Sequence, residues 1–399
     1  MSDLIKWLAC PEGTRLASLA SSLPDDSLKR LTVLRRHVTH EQARAIVEQL
    51  EIRKRARHRF PQAESMLFTA SGLDQATAPA IARYHGTLLG NCKLTLDAGC
   101  GIGSDLREIC FKTNVIAVDT SEEAIACARY NLPGSSTHPF HVRFVRADVT
   151  TMSVSAMRQA GVDGLFCDPG RRYAEAGVTR RVRSAEQSNP PLSWLISVSN
   201  SFPVVLFKLS PAIKDEELQQ LGGIAQFLSY RGQCREALAI TSQPDGPYSA
   251  VKVADDGSYD ELSSVPHALA ETRPAGGWLY EPDPAAIRAH LVDTLAVLSQ
   301  THRLVDGLAY LTGDALVENT WLTPYRVMEP APCDVRYLRA WQKRSGRRIS
   351  VVKTRGATPT PEEMLAKLHD AAVNGAKQAV LFLARDRAGV TAVLCEPAS

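Results

Sequence analysis

Nine cysteines are scattered over 399 residues without one Cys-x-x-Cys pair, and their number is odd. That spacing excludes a disulfide framework and a zinc knuckle, and fits a reducing compartment. No run of ~20 apolar residues occurs, so no segment is expected to span a membrane. The N-terminal stretch MSDLIKWLACPEGTRLASLASSLPDD is broken by Pro11, Gly13 and Pro24. It lacks the basic start and unbroken apolar core of a signal peptide, and a cytoplasmic, water-soluble protein is expected. There is no fixed-period repeat, no HExxH, no GxSxG and no P-loop lysine motif. His138 and His141 are the nearest approach to a metal pair. With no partners nearby they read as a turn leading into a strand. Charge is nearly balanced: 46 Lys+Arg against 43 Asp+Glu leaves +3, which argues little about partners. An apolar fraction of 44% and a charged fraction of 22% are ordinary for globular chains and exclude disorder, collagen and coiled coil. One hydrophobic core stops growing beyond ~250–300 residues, so two or three domains are expected.

Residues 1–90 read as a helical region. Leu34, Val38, Ala45, Ile46 and Leu50 recur at helix-like intervals, and no strand pattern intervenes. Arg53, Lys54, Arg55, Arg57 and Arg59 form a basic run, read as a solvated helix end with a phosphate-facing patch as the alternative. From Leu94 the pattern changes. LTLDAGCGIGSDL, NVIAVDTS, FHVRFVRADV, VDGLFCDPG and FPVVLFKLSP are short β-rich runs, several separated by helix-length segments. Such alternation implies βαβ units, a mostly parallel sheet and an α/β domain over residues 91–275. Residues 240–280, rich in Pro, Gly, Ser and Asp, look like a boundary region that could include a hairpin. Residues 276–399 read as a small α+β domain. In it EPDPAAIRAHLVDTLAVLSQ is expected to be one amphipathic helix capped by Asp283, and RRISVVKT a strand. Thr360 and Glu363 match a capping box, and KQAVLFLARDRAGVTAVLCEP reads as two strands and a turn.

The sharpest local signal is Asp97, Gly99, Gly101 and Gly103 at the end of a predicted strand. Glycines let a loop turn tightly and let a ligand approach the backbone, while the helix that follows offers free N–H groups. The G-x-G-x-G spacing departs from the dinucleotide fingerprint, because Ser104 occupies the last glycine position. Asp119 ends the next strand, placed to accept from ribose hydroxyls at the crevice of a doubly wound sheet. Asp148 ends the third, where it could accept from an exocyclic adenine amine. For either aspartate alone a helix N-cap is the plain alternative.

LDAGCGIGSDL, AVDTS, RADV and FCDPG together resemble the motif series of class I S-adenosylmethionine-dependent methyltransferases. FTASGLDQATAPAIARYHG, DPGRR, FKLSP, LYEPDPAAIRAHLV, YRVMEPAPCD and VVKTRG resemble, from about Phe68 to the end, a bacterial subfamily with a C-terminal THUMP-like domain. The resemblance implies a Rossmann-like core, S-adenosyl-L-methionine as cofactor and an RNA substrate. By position it implies that Gly99, Gly101 and Gly103 line the methionine end of the cofactor, with Asp97 near its amino group. Asp119 would hold the ribose and Asp148 the adenine edge.

On the substrate side, Asp168-Pro169-Gly170-Arg171-Arg172 follows an apolar strand. Methyltransferases acting on base amines often carry Asp/Asn-Pro-Pro-aromatic here, the ring stacking on a flipped base. Gly170 and Arg171 replace the second proline and the ring. An arginine plane or Tyr173 could substitute, or the arginines could grip phosphate. Asp168 is the residue expected to align the nucleophile. Lys208 at the following strand end is expected either to line the pocket or to snorkel. Residues 335–355 contain eight Lys/Arg, Arg347 and Arg348 among them, and no acid, with Tyr337 and Trp341 interleaved. This suits RNA, although an exposed helix with core-facing aromatics has the same composition. An RNA-directed methyltransferase is therefore the leading expectation. A non-catalytic RNA-binding module and, less well supported by the loop spacing, a nicotinamide-dependent oxidoreductase are the alternatives. The sequence says nothing of oligomeric state.

Overall fold

The computed structural model describes residues 2–132, 134, 140–170, 172–175, 178–181, 185–356, 359–369, 377–387 and 389–398. The chain divides into two compact units, one of Met1–Arg231, Arg235–Gly246 and Lys252–Asp260, the other of Gly232–Cys234, Pro247–Val251 and Glu261–Ser399.

The first unit begins with helices Ser2–Ala9, Pro11–Ser22, Ser27–Leu34 and His40–Ala56. Local chemistry sets their starts. Asp26 accepts from the N–H groups of Leu28 and Lys29, and Thr39 and Gln42 form a reciprocal capping box. Ala43, Ile46, Val47 and Leu50 are the buried stripe of the longest helix. They share one apolar cluster with Phe60, Met66 and Phe68, and also with Ile102 and Cys127 further along the chain. The helical region is thus packed onto the α/β core that follows.

That core contains β1 (Leu94–Ala98), β2 (Asn114–Asp119), β3 (Val142–Arg146), β4 (Gly164–Cys167), β5 (Arg172–Glu175), β6 (Val178–Arg181) and β7 (Val204–Leu209). It continues with β8 (Ile224–Tyr230), β9 (Gln233–Ile240), β10 (Ser249–Val253) and β11 (Tyr259–Leu262). Nine strands form one sheet in the order β11-β10-β8-β9-β7-β4-β1-β2-β3, while β5 and β6 pair separately as an antiparallel ribbon. β7, β4, β1, β2 and β3 run parallel, and β9 is antiparallel to β7. The order runs outward from β1 in both directions, so the crevice lies beyond the carboxyl ends of β1 and β4. The Pro- and Gly-rich stretch after residue 240 supplies β10 and β11, neighbours at the sheet edge.

The second unit carries β12 (Trp278–Pro282), β13 (His302–Arg303), β14 (Leu311–Gly313), β15 (Leu322–Ala331), β16 (Arg347–Arg355), β17 (Lys377–Arg385) and β18 (Val390–Pro397). They form a seven-stranded sheet, order β13-β14-β12-β15-β18-β17-β16, in which β16 and β17 are parallel. The Thr360–Glu363 capping box is present and starts helix Pro361–Leu368. The single helix expected after Asp283 is instead two, Pro284–Arg288 and Val292–Leu298. Between them His290 takes φ 60°, a left-handed conformation that ends the first helix despite the continuous apolar pattern.

Candidate functional site

The loop after β1 is held open by backbone geometry. Gly99, Gly101 and Gly103 have φ of 90°, 54° and 82°. A Cβ on Gly103 would lie 3.0 Å from the Ala128 backbone, and one on Gly99 3.3 Å from the Asp168 carbonyl, whereas one on Gly101 would meet nothing within 4 Å. Gly103 therefore serves close packing and Gly101 faces open space. The N–H groups of Gly99 and Cys100 donate to the Val118 carbonyl at 2.9 and 3.0 Å, tying the loop to β2.

Gly99 and Gly101 border a cleft of about 320 Å³, also lined by Asp97, Asp119, Asp148, Phe166 and Asp168, whereas Gly103, expected to line the cofactor, packs against Ala128 instead. Asp119 accepts from Gly101 N–H at 2.9 Å and Ser121 N–H at 2.8 Å, so it also shapes the loop. Asp148 Oδ1 accepts from the N–H and hydroxyl of Thr150 and caps a short 3₁₀ turn, the plain role weighed for it. Asp97 is 1% exposed, and its Oδ2 has no hydrogen-bond partner. Burial first, then the carboxylates of Asp105, Asp119 and Asp168, push its carboxyl well above the usual carboxylate range.

The cleft's far wall is a buried charge network. Lys208, 6% exposed on β7, donates to Asp168 Oδ2 and, at 2.7 Å, to the Thr77 hydroxyl. The snorkelling alternative is thereby overturned: the ammonium is inside, held by charge. Burial opposes its charged form, but Asp168, Asp105 and Glu236 outweigh that and raise its pKa. Thr77 in turn donates to Asp105 at 2.5 Å. His85, fully buried, bridges Asp105 (2.8 Å from Nδ1) and Glu236 (2.6 Å from Nε2). Burial disfavours imidazolium, yet Glu236 and Asp105 lift the pKa of His85 to about 9. Asp105 is likewise opposed by burial but brought down to about 2, chiefly by Lys208 and His85.

Thr77, His85, Asp105 and Glu236 escaped the sequence reading. Thr77 and His85 sit in the FTASGLDQATAPAIARYHG phrase and Asp105 directly follows the glycine loop, so position was an available signal; Glu236 had none. Thr69, Ser71, Gly72, Gln75 and Ala76 from the same phrase border the cleft. Gly170 reaches it too, bonded in both directions to Asn189. Pro169 joins Asp168 to Gly170 at the turn. Arg171 lies outside the described residues, as does His138. Arg172 opens β5.

Other expectations change. The basic run is largely spent within the chain: Arg53 is buried and donates to the Met66 carbonyl, Lys54 pairs with Asp25, Arg55 with Asp74 and Arg57 with Glu64. Lys54, Arg55 and Arg57 are exposed, as a solvated helix end requires, but each is ion-paired, so the run is not a patch of five free cations. In the second unit Trp341 is 2% exposed within an apolar cluster, and Tyr337 packs against the same cluster and donates to Glu329. Neither ring stands ready to stack on a base. Arg347 pairs with Glu396 at 2.8 Å, while Arg348 is exposed.

The cleft fits S-adenosylmethionine by the orphaned, buried Asp97 oxygen, which awaits a donor, and by the open face at Gly101, which a Cβ would fill. Asp119 and Asp148 line the same cleft. No helix among the described residues is long and apolar enough to cross a membrane.

Comparison with known proteins agrees with this cleft. Residues 95–170 match a methyltransferase-domain family, and residues 2–56 a domain family of unknown function. An uncharacterised S-adenosylmethionine-dependent methyltransferase of Mycobacterium tuberculosis, in strains H37Rv and CDC 1551, is 29% identical over 340 residues, covering 83% of this chain and 89% of the relative. A solved structure of a methyltransferase candidate from Porphyromonas gingivalis W83 superposes with a TM-score of 0.76 at 18% identity, covering 96% of this chain and 98% of that one; at that identity it speaks for the fold alone. The strand order and the superposition give the chain a Rossmann-like methyltransferase fold, and the glycine-and-acid cleft together with these matches supports S-adenosylmethionine-dependent methyl transfer.

Proposed function

We propose that this methyltransferase acts on RNA in the cytoplasm, with the second unit as a THUMP-like, RNA-contacting domain. The observation that carries the RNA reading is helix Val335–Ser345. Its charged residues are Arg336, Arg339, Lys343 and Arg344, all exposed, and it has no acid. Leu338 and Trp341 bury the opposite side. Such a face attracts phosphate without demanding a base sequence.

The cofactor supplies an electrophilic methyl group on a sulfonium. The chain's own part is positioning, which can account for much of the rate when no bond to the protein forms. Asp97, Asp119, Asp148 and the glycine loop would hold the cofactor. Lys208 fixes one oxygen of Asp168, so that this carboxylate can orient an acceptor N–H or O–H at the cleft wall. Total RNA from a strain lacking the protein, incubated with the enzyme and labelled methyl donor and then digested to nucleosides, should yield one labelled nucleoside. Label in protein or small molecules alone would refute the RNA assignment.

A further inference from the structure

A second cavity, of about 420 Å³, opens in the first unit beside the cofactor cleft. The two share Gln75 and Ala76 as lining, and the Thr77–Lys208 pair lines this second cavity while bonding to Asp105 and Asp168 of the first. Its lining carries three arginines, Arg59, Arg231 and Arg235, together with His58 and the carboxylates of Asp74 and Glu236. The three arginines differ in how far their charge is already answered. Arg231 pairs with Asp255 at 2.9 Å. Arg59 is half-buried and has no ion pair among the described residues; its Nη1 donates to the carbonyls of Leu73 and Ala76, leaving Nε and Nη2 without hydrogen bonds there. Arg235 is exposed and makes no hydrogen bond or ion pair among the described residues. Arg59 and Arg235 repel one another, and that repulsion adds to burial in lowering the Arg59 pKa. Two guanidinium groups held together against their repulsion, each with donors to spare, form a fork suited to an oxyanion.

We propose that Arg59 and Arg235 form a phosphate-binding site that grips a backbone phosphate of the acceptor RNA and presents the neighbouring nucleotide to Asp168. This rests on the RNA reading above. The cavity shares Gln75 and Ala76 with the cleft and is lined by Lys208, the partner of Asp168, and a phosphate is the group on every nucleotide that two arginines recognise without reading sequence. Tyr230, whose hydroxyl donates to Asp255 at 2.7 Å, helps hold Arg231 at the rim; Asp74 favours the charged form of Arg59 without bonding to it, and Arg235 has no ion pair among the described residues.

The test uses the full-length chain with two probes, inorganic pyrophosphate and total RNA. Arg235→Glu reverses one charge at an exposed, unpartnered position, and Arg59→Met removes the other while keeping the aliphatic stem. Pyrophosphate should bind the parent measurably by calorimetry and about 10-fold or more weakly in each variant, the scale of one charge-assisted hydrogen bond. The RNA concentration for half-maximal methyl transfer should rise about 10-fold in Arg235→Glu, with S-adenosylmethionine affinity unchanged. Pyrophosphate binding indifferent to both substitutions overturns the site. Half-saturating RNA indifferent to both, in an enzyme that does methylate RNA, overturns its role toward the acceptor. If RNA accepts no methyl group while pyrophosphate binding still depends on both arginines, the site stands and the RNA reading alone falls.

Discussion

Asp97 is a buried carboxyl whose second oxygen has no partner, surrounded by three further aspartates. Ionisation there is opposed first by burial and then by the carboxylates of Asp105, Asp119 and Asp168. An ammonium arriving with the cofactor would favour the carboxylate, so S-adenosylmethionine binding should release a proton. Calorimetry at pH 7 in buffers of different ionisation enthalpy should show it, and Asp97→Asn should abolish the buffer dependence. Asp119 lies nearer solvent and shapes the loop through Gly101. Its replacement by Ala should weaken cofactor binding about 10- to 100-fold, the size of one charge-assisted hydrogen bond. Asp168 needs a gentler variant than alanine, which would strand the buried Lys208 ammonium and cost stability as well as rate. Asp168→Asn keeps the shape and should cut single-turnover methyl transfer ~30- to 1,000-fold with cofactor affinity nearly intact. Near-normal turnover would assign the turn a purely structural role.

At the scale of the element, the glycine loop separates folding from binding. Gly103 packs against the helix Glu122–Asn131 through Ala128, and its φ is positive. Gly103→Ala should therefore destabilise the chain by about 1–3 kcal/mol, read as a lowered denaturation midpoint. Gly101 also has a positive φ but has room for a methyl group, so Gly101→Ala should cost only the ~1 kcal/mol of backbone strain, less than Gly103→Ala, and in addition obstruct cofactor binding. Equal effects of the two on both measurements would contradict this division. The helix Val335–Ser345 divides in the same way, with Trp341 and Leu338 serving the core and the basic residues left outside. Arg336 and Arg348 make no hydrogen bond or ion pair among the described residues. If they meet phosphates, replacing both with Gln should flatten the log–log salt dependence of RNA binding by ~0.7 for each phosphate no longer neutralised. An unchanged slope would remove this helix from the interface.

For the whole molecule, the chain Asp168–Lys208–Thr77–Asp105–His85–Glu236 links β4, β7, β9, the strap before helix Pro79–Leu88 and the loop after β1. It makes stability depend on pH in a stated direction. His85 is raised from 6.5 to about 9, so its contribution is complete below pH 6.5 and is lost as pH rises through 9. A shift of that size corresponds to about 3 kcal/mol. Asp105 is lowered from 3.8 to about 2, so its contribution is present above pH 3.8 and disappears as pH falls through 2. Urea midpoints at pH 6 and pH 9 should differ more in the parent than in His85→Gln. The variant should be weaker at pH 6, because two buried carboxylates lose their common partner. Equal pH dependence in both would exclude His85 as the titrating group.

Much of this was legible in one dimension. Alternation of β-rich runs with helical segments determined the α/β class, since period and turn residues are local properties. Loop glycines and strand-end aspartates could be placed at one crevice because parallel strands bring their carboxyl ends to the same edge. Caps such as Thr360–Glu363 were readable for the same reason: partners three residues apart need no tertiary packing to meet. Tertiary structure alone decided where charge went. It turned Trp341 inward, paired Arg347 with Glu396 and spent most of the Arg53–Arg57 run on nearby acids and carbonyls. It also joined His85 to Glu236 across 151 residues. Composition records how many charges a segment has, whereas burial and distance determine which of them remain for a ligand. That difference leaves Arg59 of the basic run at the second cavity while its neighbours pair with acids, and makes a strand-end lysine the buried partner of Asp168.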